Sequence, residues 1–461
     1  MRRLSSIRSA RPVALAGLSC GAVVGIAAAL LAGSATARQA DASPQAVLEA
    51  THNPPLLTLP GEPLELSYDV YCATAGVEDP EESCGVSGSL FVRPAGRGTF
   101  RELPLGETSS NGLRKLAAGV PDDLAASRDG IEYYASIGSA DTTIAVPAGG
   151  ATAPDRTRQL AGPVEVPLGA HVLGQLRGRS ARVAAARWGD GPTDVGLEQD
   201  RDLAAIGATA FDVDRADTVY VLDEAHRRML RWSKGGSAPS RVPLSIDGRL
   251  ADMAVAGDGS IYVLESMAPA GRHPLLRRFD ENGRDLDVVE TAERPSQIRV
   301  GADGPFVLEQ PSNQWMPAVL DGQPASSAQQ RAHGRSARPS RSGGEVVVRR
   351  LGDEIRVALL RDGALRRAWR ITSTTPLAEV QLAEPMGQRL VLVVRAYSDT
   401  TDEFLVLLLD RKGLAESFSV DPADWAESAP LGRFRLVNGS LFQLGSTASG
   451  AFVDRFDLEV H

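Results

Sequence analysis

One pattern limits what this chain can fold into: a two-strand unit that returns after intervals of 42 and 44 residues. Phe211-Asp212-Val213, a tight turn and Thr218-Val219-Tyr220-Val221-Leu222 make the first copy. Met253-Ala254-Val255, Asp258-Gly259 and Ser260 to Leu264 make the second, and Ile298-Arg299-Val300, Asp303-Gly304 and Pro305 to Leu308 the third. A period of about 40–50 residues built from short strands is the mark of a β-propeller, with one four-stranded sheet per interval. The second strand of each copy is apolar on both faces, as expected where sheets pack face to face around a ring. Three fainter units follow over 346–371, 379–420 and 434–458, with Ile355–Leu360, Leu390–Val394 and Leu441–Leu444 as runs suited to inner strands. Six blades are therefore expected. The last unit offers three clear strands, so a strand from the start of the domain, Arg182 to Arg187, is expected to complete it and close the ring.

The stretch Ala210 to Trp232 resembles the NHL repeat of β-propeller proteins. The family's acidic residue after the second strand falls on Asp223, its arginine on Arg228, the next aliphatic on Met229 and the closing aromatic on Trp232. The second copy keeps Arg278 and Phe279 but carries an insertion, and His226 stands where the family has asparagine. The third copy is expected to retain only its first two strands. The segment from Arg187-Trp188-Gly189-Asp190 to Leu197 is similar to the lead-in of exported bacterial NHL-type propellers. The resemblance implies a fold; propellers host binding platforms and enzymes alike.

Upstream, residues 1–37 read as a signal peptide: Arg2, Arg3, Arg8 and Arg11, an apolar run over 13–32, then Ala35-Thr36-Ala37 as a cleavage site before Arg38. The run is 20 residues long, so a retained membrane anchor is the alternative. Either way the bulk of the chain is expected to be secreted or to sit at the cell envelope. Without this segment, 45 basic residues face 58 acidic ones, a formal charge of −13. That balance argues against nucleic acid, which calls for clustered positive charge.

Cys72 and Cys84, 12 positions apart in an exported chain, are expected to form a structural disulfide around an acidic turn. The layout that follows is all-β. After a disordered linker over 38–54 comes a small β-sandwich over 55–150, in which Leu64 to Val70 alternates at period two. Leu113 to Ala126 has room for a short helix. A linker over 151–175 leads to the propeller over 176–461, and 324–344, rich in Ser, Ala, Gln, Pro and Arg, reads as a disordered insertion.

Chemistry is sparse. Turns between first and second strands are tight, whereas those between second and third strands are longer and varied, and in a propeller these all project from one rim. His226, Arg227, His273, Asn313, Trp315 and Tyr397 are the candidate residues there for binding a protein or glycan partner. The rival is a metal-dependent hydrolase or lyase, because some six-bladed propellers resembling this one hold calcium or zinc in the central channel. Zinc would need converging histidines or carboxylates, and all six histidines fall in tails, linkers or loops. Asp212, Asp214 and Asp217 lack the glycine and distal glutamate of a calcium-binding hand. No Gly-x-Ser-x-Gly elbow and no phosphate-binding loop occur. The expectation is a scaffold without cofactor or metal.

Overall fold

The structure, a computed structural model, describes residues 46–74, 84–110, 113–140, 142–199, 204–268, 272–291, 294–310, 312–427 and 432–458. The expected signal segment 1–37 and the acidic stretch 75–83 lie outside the described residues. No described helix is long and apolar enough to cross a membrane.

The amino-terminal part is a two-sheet sandwich. One sheet runs in the order Ala46–His52, Glu65–Thr74, Leu113–Gly119, Gly106–Ser110. The other runs Leu57–Thr58, Asp155–Gln159, Ile131–Gly138, Ser87–Pro94, Arg101–Pro104, with Thr143–Val146 also paired to Ile131–Gly138. Burial alternates residue by residue along Ile131–Gly138, so Ile131, Tyr133, Ala135 and Ile137 meet Leu66, Tyr68, Leu90 and Leu116 in the core. The Cys72–Cys84 disulfide, with Cα atoms 5.7 Å apart, joins a strand of the first sheet to the chain entering the second.

Two expectations for this region are corrected. Within the supposed disordered linker 38–54, Ala46–His52 pairs along its whole length with Glu65–Thr74. Its alternation rests on Leu48, Ala50 and His52, all buried, and only one of these is strongly apolar, so the period was hard to see. Leu113 to Ala126 holds a strand, then a single helical turn, Asp122–Ala125, behind Pro121.

Beyond it, the described residues form six sheets in a ring, numbered here as blades in chain order. Blade one is Ala210–Val213, Val219–Asp223, Arg228–Trp232, Ser240–Pro243; blade two is Arg249–Val255, Ile261–Met267, Leu275–Phe279, Asp285–Glu290. Blade three is Pro295–Gly301, Gly304–Glu309, Gln314–Pro317; blade four is Arg338–Pro339, Glu345–Leu351, Glu354–Arg361, Ala364–Ser373. Blade five is Leu377–Met386, Arg389–Tyr397, Asp402–Asp410, Gly413–Val420. Blade six is Phe434–Val437, Ser440–Thr447, Gly450–Asp457, completed on its outer edge by Ala181–Arg187, the expected closing strand. Innermost strands touch their neighbours around the circle, and Phe434–Val437 returns to Ala210–Val213.

Apolar clusters lie between blades one and two, two and three, four and five, five and six, and six and one. The seam between blades three and four is different. It is filled by the segment 324–344 and the sandwich, whose polar contacts lie beside an apolar cluster of Leu57, Leu160 and Ala337 on blade four. That segment is ordered, which corrects the expected disordered insertion. Ser326 caps the helix Ser327–Ala332 in a capping box with Gln329, and Gln330 donates to the Glu290 and Ala325 carbonyls. Its arginines are partnered by acids: Arg335 by Glu345 of the adjoining strand, and Arg338 and Arg341 by Glu384 and Asp212 of other blades.

The supposed linker 151–175 is also structured. Asp155–Gln159 belongs to the sandwich, and Val164–Gly169 adds in parallel to the outer strand of blade four. Leu176 then bridges Ser419 on the outer strand of blade five before Ala181–Arg187 reaches blade six. One stretch of chain thus runs as a belt across the outer edges of three consecutive blades.

Two details of the repeat differ from expectation. Leu390–Val394 and Leu441–Leu444 are second strands and Ile355–Leu360 a third strand; the inner ones are shorter or less apolar. A second strand is covered on both faces and both edges, which is why it carries the strongest apolar signal. Blade three also has a third strand, Gln314–Pro317.

Candidate binding rim and central channel

The rim residues are scattered by the fold. Asn313 (φ 52°) sits in the turn after the second strand of blade three and donates from Nδ2 to the His52 carbonyl at 3.0 Å, so the sandwich covers it. Arg294 nearby pairs with Glu49 at 2.7 Å. Trp315 is not on the rim surface: it lies in Gln314–Pro317, 4% exposed, and exchanges backbone hydrogen bonds with Arg335. The aromatic residue chosen for a turn is a strand residue against the segment 324–344. Arg227 (φ 52°) donates to the Ile246 and Gly248 carbonyls, tying down the link to blade two. His226 is bracketed by Asp223 at 2.8 Å and Asp190 at 3.2 Å. Burial opposes its charge, but those two carboxylates prevail and raise the imidazole above its ordinary value. His273 and Tyr397 are exposed and remain available.

The Asp223–Arg228 pair of blade one is a 2.8 Å contact between side chains 1% and 6% exposed, with Arg228 also donating to the Gly191 and Asp194 carbonyls. It anchors the lead-in segment under the blade.

Ionic contacts fill the central channel. Asp212 accepts from Val213 N at 2.8 Å and from Val255 N of the next blade at 2.7 Å. Asp252 repeats this one blade on, with Met253 N at 2.9 Å and Ile298 N at 3.1 Å. Arg435 reaches Asp252 at 3.0 Å and Asp212 at 3.6 Å, Arg299 lies 3.5 Å from Asp252, and Arg338 is 3.2 Å from Glu384. Arg341 closes over Asp212 from the turn between the first two strands of blade four. Burial, with Arg435 and Arg338 close by, lowers the Arg299 guanidinium to about 9. Four guanidiniums thus meet three carboxylates around a residual cavity of about 30 Å³, room for a water or two. Asp214 and Asp217 are turn residues: Asp214 Oδ1 accepts from Ala216 N and Thr218 N at 2.8 Å, and Asp217 pairs with Lys234 at 2.8 Å.

Between blades five and six, on the rim of second-to-third turns, lies a groove of about 890 Å³ that the sequence did not reveal. Trp425, 44% exposed, projects from the link between the two blades. Trp188 stands behind it with ring centroids 6.1 Å apart, and its Nε1 donates to the Thr447 carbonyl at 2.9 Å. Gly207 makes room for that ring, since a Cβ there would meet it at 2.7 Å. Ser446 fixes the loop by accepting from Ala426 N at 2.8 Å and donating its own N–H to the Ala423 carbonyl at 2.6 Å. Across the groove Arg182 lies over the Phe452 ring at 3.7 Å and donates twice to Asp454, at 2.8 and 2.9 Å.

His171, Glu403 and Ser419 meet at the wall. His171 Nε2 lies 2.5 Å from Glu403 Oε1 and 3.1 Å from Ser419 Oγ. A hydrolytic triad uses both imidazole nitrogens, one for the nucleophile and one for the acid. Here one nitrogen serves both, and Ser419 and Glu403 are each 1% exposed. Burial pushes the Glu403 carboxyl up, but the Gly174 N–H, the Ser419 hydroxyl and His171 hold it below its ordinary value. The trio is a buried latch for the belt.

No protein-family model matches the chain, and no curated protein matches it in sequence. Solved structures resemble it. Virginiamycin B lyase from Staphylococcus aureus is 10% identical with a TM-score of 0.33, over 54% of this chain and 94% of that one. BamB from Moraxella catarrhalis is 12% identical with a TM-score of 0.26, over 61% and 98%. YCF48 bound to D1 peptide is 12% identical with a TM-score of 0.31, over 65% and 100%. These are propeller-type proteins. The likeness is of fold alone.

Proposed function

We propose that this chain is an exported, non-catalytic scaffold, a six-bladed NHL-like propeller carrying a sandwich, that binds a protein or glycan partner at the cell envelope or outside the cell. The observation that carries this reading is the contrast between channel and rim. Four guanidiniums engage the three channel carboxylates that a cation there would need, and the remaining cavity is too small for a substrate. The rim groove between blades five and six offers an exposed indole on a rigid mount, flanked by charged groups, with His226, His273 and Tyr397 on the same rim. Polar groups converging in a large cleft are what a recognition site requires.

The test is the metal content and the first residue of the chain isolated from its natural location. The expected result is a chain outside the cytoplasm that begins at Arg38 and holds less than stoichiometric metal. One tightly held zinc or calcium per chain, lost when Asp212 and Asp252 are replaced, would overturn the non-catalytic reading. Recovery from the cytoplasm with residues 1–37 intact would overturn export.

A further inference from the structure

The groove's composition narrows what it can hold. Five carboxylates line it, Asp402, Glu403, Asp421, Asp424 and Asp454, against three guanidiniums, Arg177, Arg179 and Arg182. The guanidiniums are already engaged: Arg182 by Asp454, Arg177 by Glu416 at 2.5 Å and Phe418 at 3.9 Å, and Arg179 by Asp454 at 3.7 Å. A phosphorylated, sulfated or uronate-bearing ligand would enter an excess of negative charge. An extended peptide usually adds to a free strand edge, where main-chain hydrogen bonds supply its affinity. Both edges facing this groove are taken by the belt, that of blade five by Leu176 and Arg177 and that of blade six by Ala181–Arg187.

What the groove does offer suits a sugar. Trp425 presents a flat apolar face, with the Trp188 ring behind it and its loop tied down by Ser446. Beside it, Asp421 Oδ1 accepts from Ala423 N at 2.8 Å, and Asp424 faces Arg433 at 3.7 Å. Both carboxylates keep lone pairs for hydroxyl donors. The volume of about 890 Å³ is within the usual range for ligand clefts.

We infer that the groove between blades five and six binds an uncharged or amine-bearing oligosaccharide, with one pyranose ring stacked on Trp425 and its hydroxyls held by Asp421 and Asp424. This inference rests on the binding-rim reading and specifies its ligand.

The experiment is titration of the mature chain with neutral, amino and sulfated oligosaccharides on an array, followed by tryptophan fluorescence with each sugar that binds. Binding is expected for neutral or amino sugars and not for sulfated ones. Trp425→Ala should weaken it about tenfold or more, while Trp425→Phe, which keeps an aromatic face, stays within a few-fold. Asp421→Asn with Asp424→Asn should weaken it without moving the thermal midpoint, which separates recognition from folding. Binding of sulfated sugars alone, or sugar binding unchanged in Trp425→Ala, overturns the inference. A chain that binds no sugar but holds a protein partner released by Trp425→Ala would overturn the glycan and leave the scaffold. Neither kind of binding would overturn both.

Discussion

Asp155 and His52 sit together where the sandwich meets the propeller, and burial drives them in opposite directions. Asp155 is fully buried, accepts from Ser336 Oγ at 3.0 Å and Gln314 Nε2 at 3.2 Å on one oxygen, and is raised by desolvation to about 7. His52 lies between the Ser67 carbonyl at 2.7 Å and the Tyr133 hydroxyl at 3.0 Å, and desolvation lowers it to about 4. A raised carboxyl contributes stability that is fully present below the unfolded value near 4 and is lost as pH rises through about 7. A lowered imidazole contributes stability present above 6.5 and lost as pH falls through about 4. Each effect is worth roughly 3–4 kcal/mol, so in the wild type they nearly cancel between pH 4 and 6.5. Asp155→Asn should leave a protein that loses stability on acidification, and His52→Gln one that gains it. Denaturant unfolding at several pH values checks this; parallel curves for the two variants would reject it.

At the scale of single elements, two short pieces have consequences larger than their length. Ser326 closes the capping box of the only helix in the segment between blades three and four among the described residues, and Ser326→Ala should cost about 1 kcal/mol in thermal or denaturant unfolding. Ala181–Arg187 closes the ring. Within it the Arg187 carbonyl turns outward to accept from Val195 N, so by alternation the half-buried Ala186, paired with Ala451, faces Gly450–Asp457, and Ala186→Pro removes a ladder donor. The expected outcome is a lowered thermal midpoint together with self-association through the bared edge of Gly450–Asp457, seen by size-exclusion chromatography. A monomer of unchanged midpoint would show that closure does not depend on this ladder.

What could be read from the sequence follows the same division. The repeated first and second strands were legible because two-sided burial writes itself as a contiguous apolar run, whereas the closing strand, mostly exposed or half-buried, was legible only because the last unit lacked a fourth strand. The ordered segment 324–344 was not, because the acids that pair with Arg338 and Arg341 lie in other blades and no local pattern announces them. Among site residues, His226 and His273 lie in loops and Tyr397 ends the second strand of blade five, whereas Trp315 lies within a strand beside Arg335. Trp425 went unseen because a link between blades has no period to mark it, and its value depends on Trp188, more than two hundred positions away.

On the scale of the whole molecule, the sandwich and the propeller share a surface. Leu57 and Leu160 pack on Ala337, Val347, Ala358 and Leu360, and Arg356, 2% exposed, reaches Glu62 and the Leu57 carbonyl from blade four. Removing residues through 162 would bare this apolar patch and leave Arg356 without Glu62. The shortened chain should aggregate, as light scattering of matched concentrations will show, and a stable monodisperse propeller would contradict that expectation.

The belt from Val164 to Arg187 gives this joint a mechanical character. Because it adds to the outer edges of three neighbouring blades before the first complete blade begins, a pull on the sandwich does not unzip one hairpin. The load is expected to spread in shear over two ladders and the Leu176–Ser419 bridge on separate wedges, as a hoop resists a tightened strap.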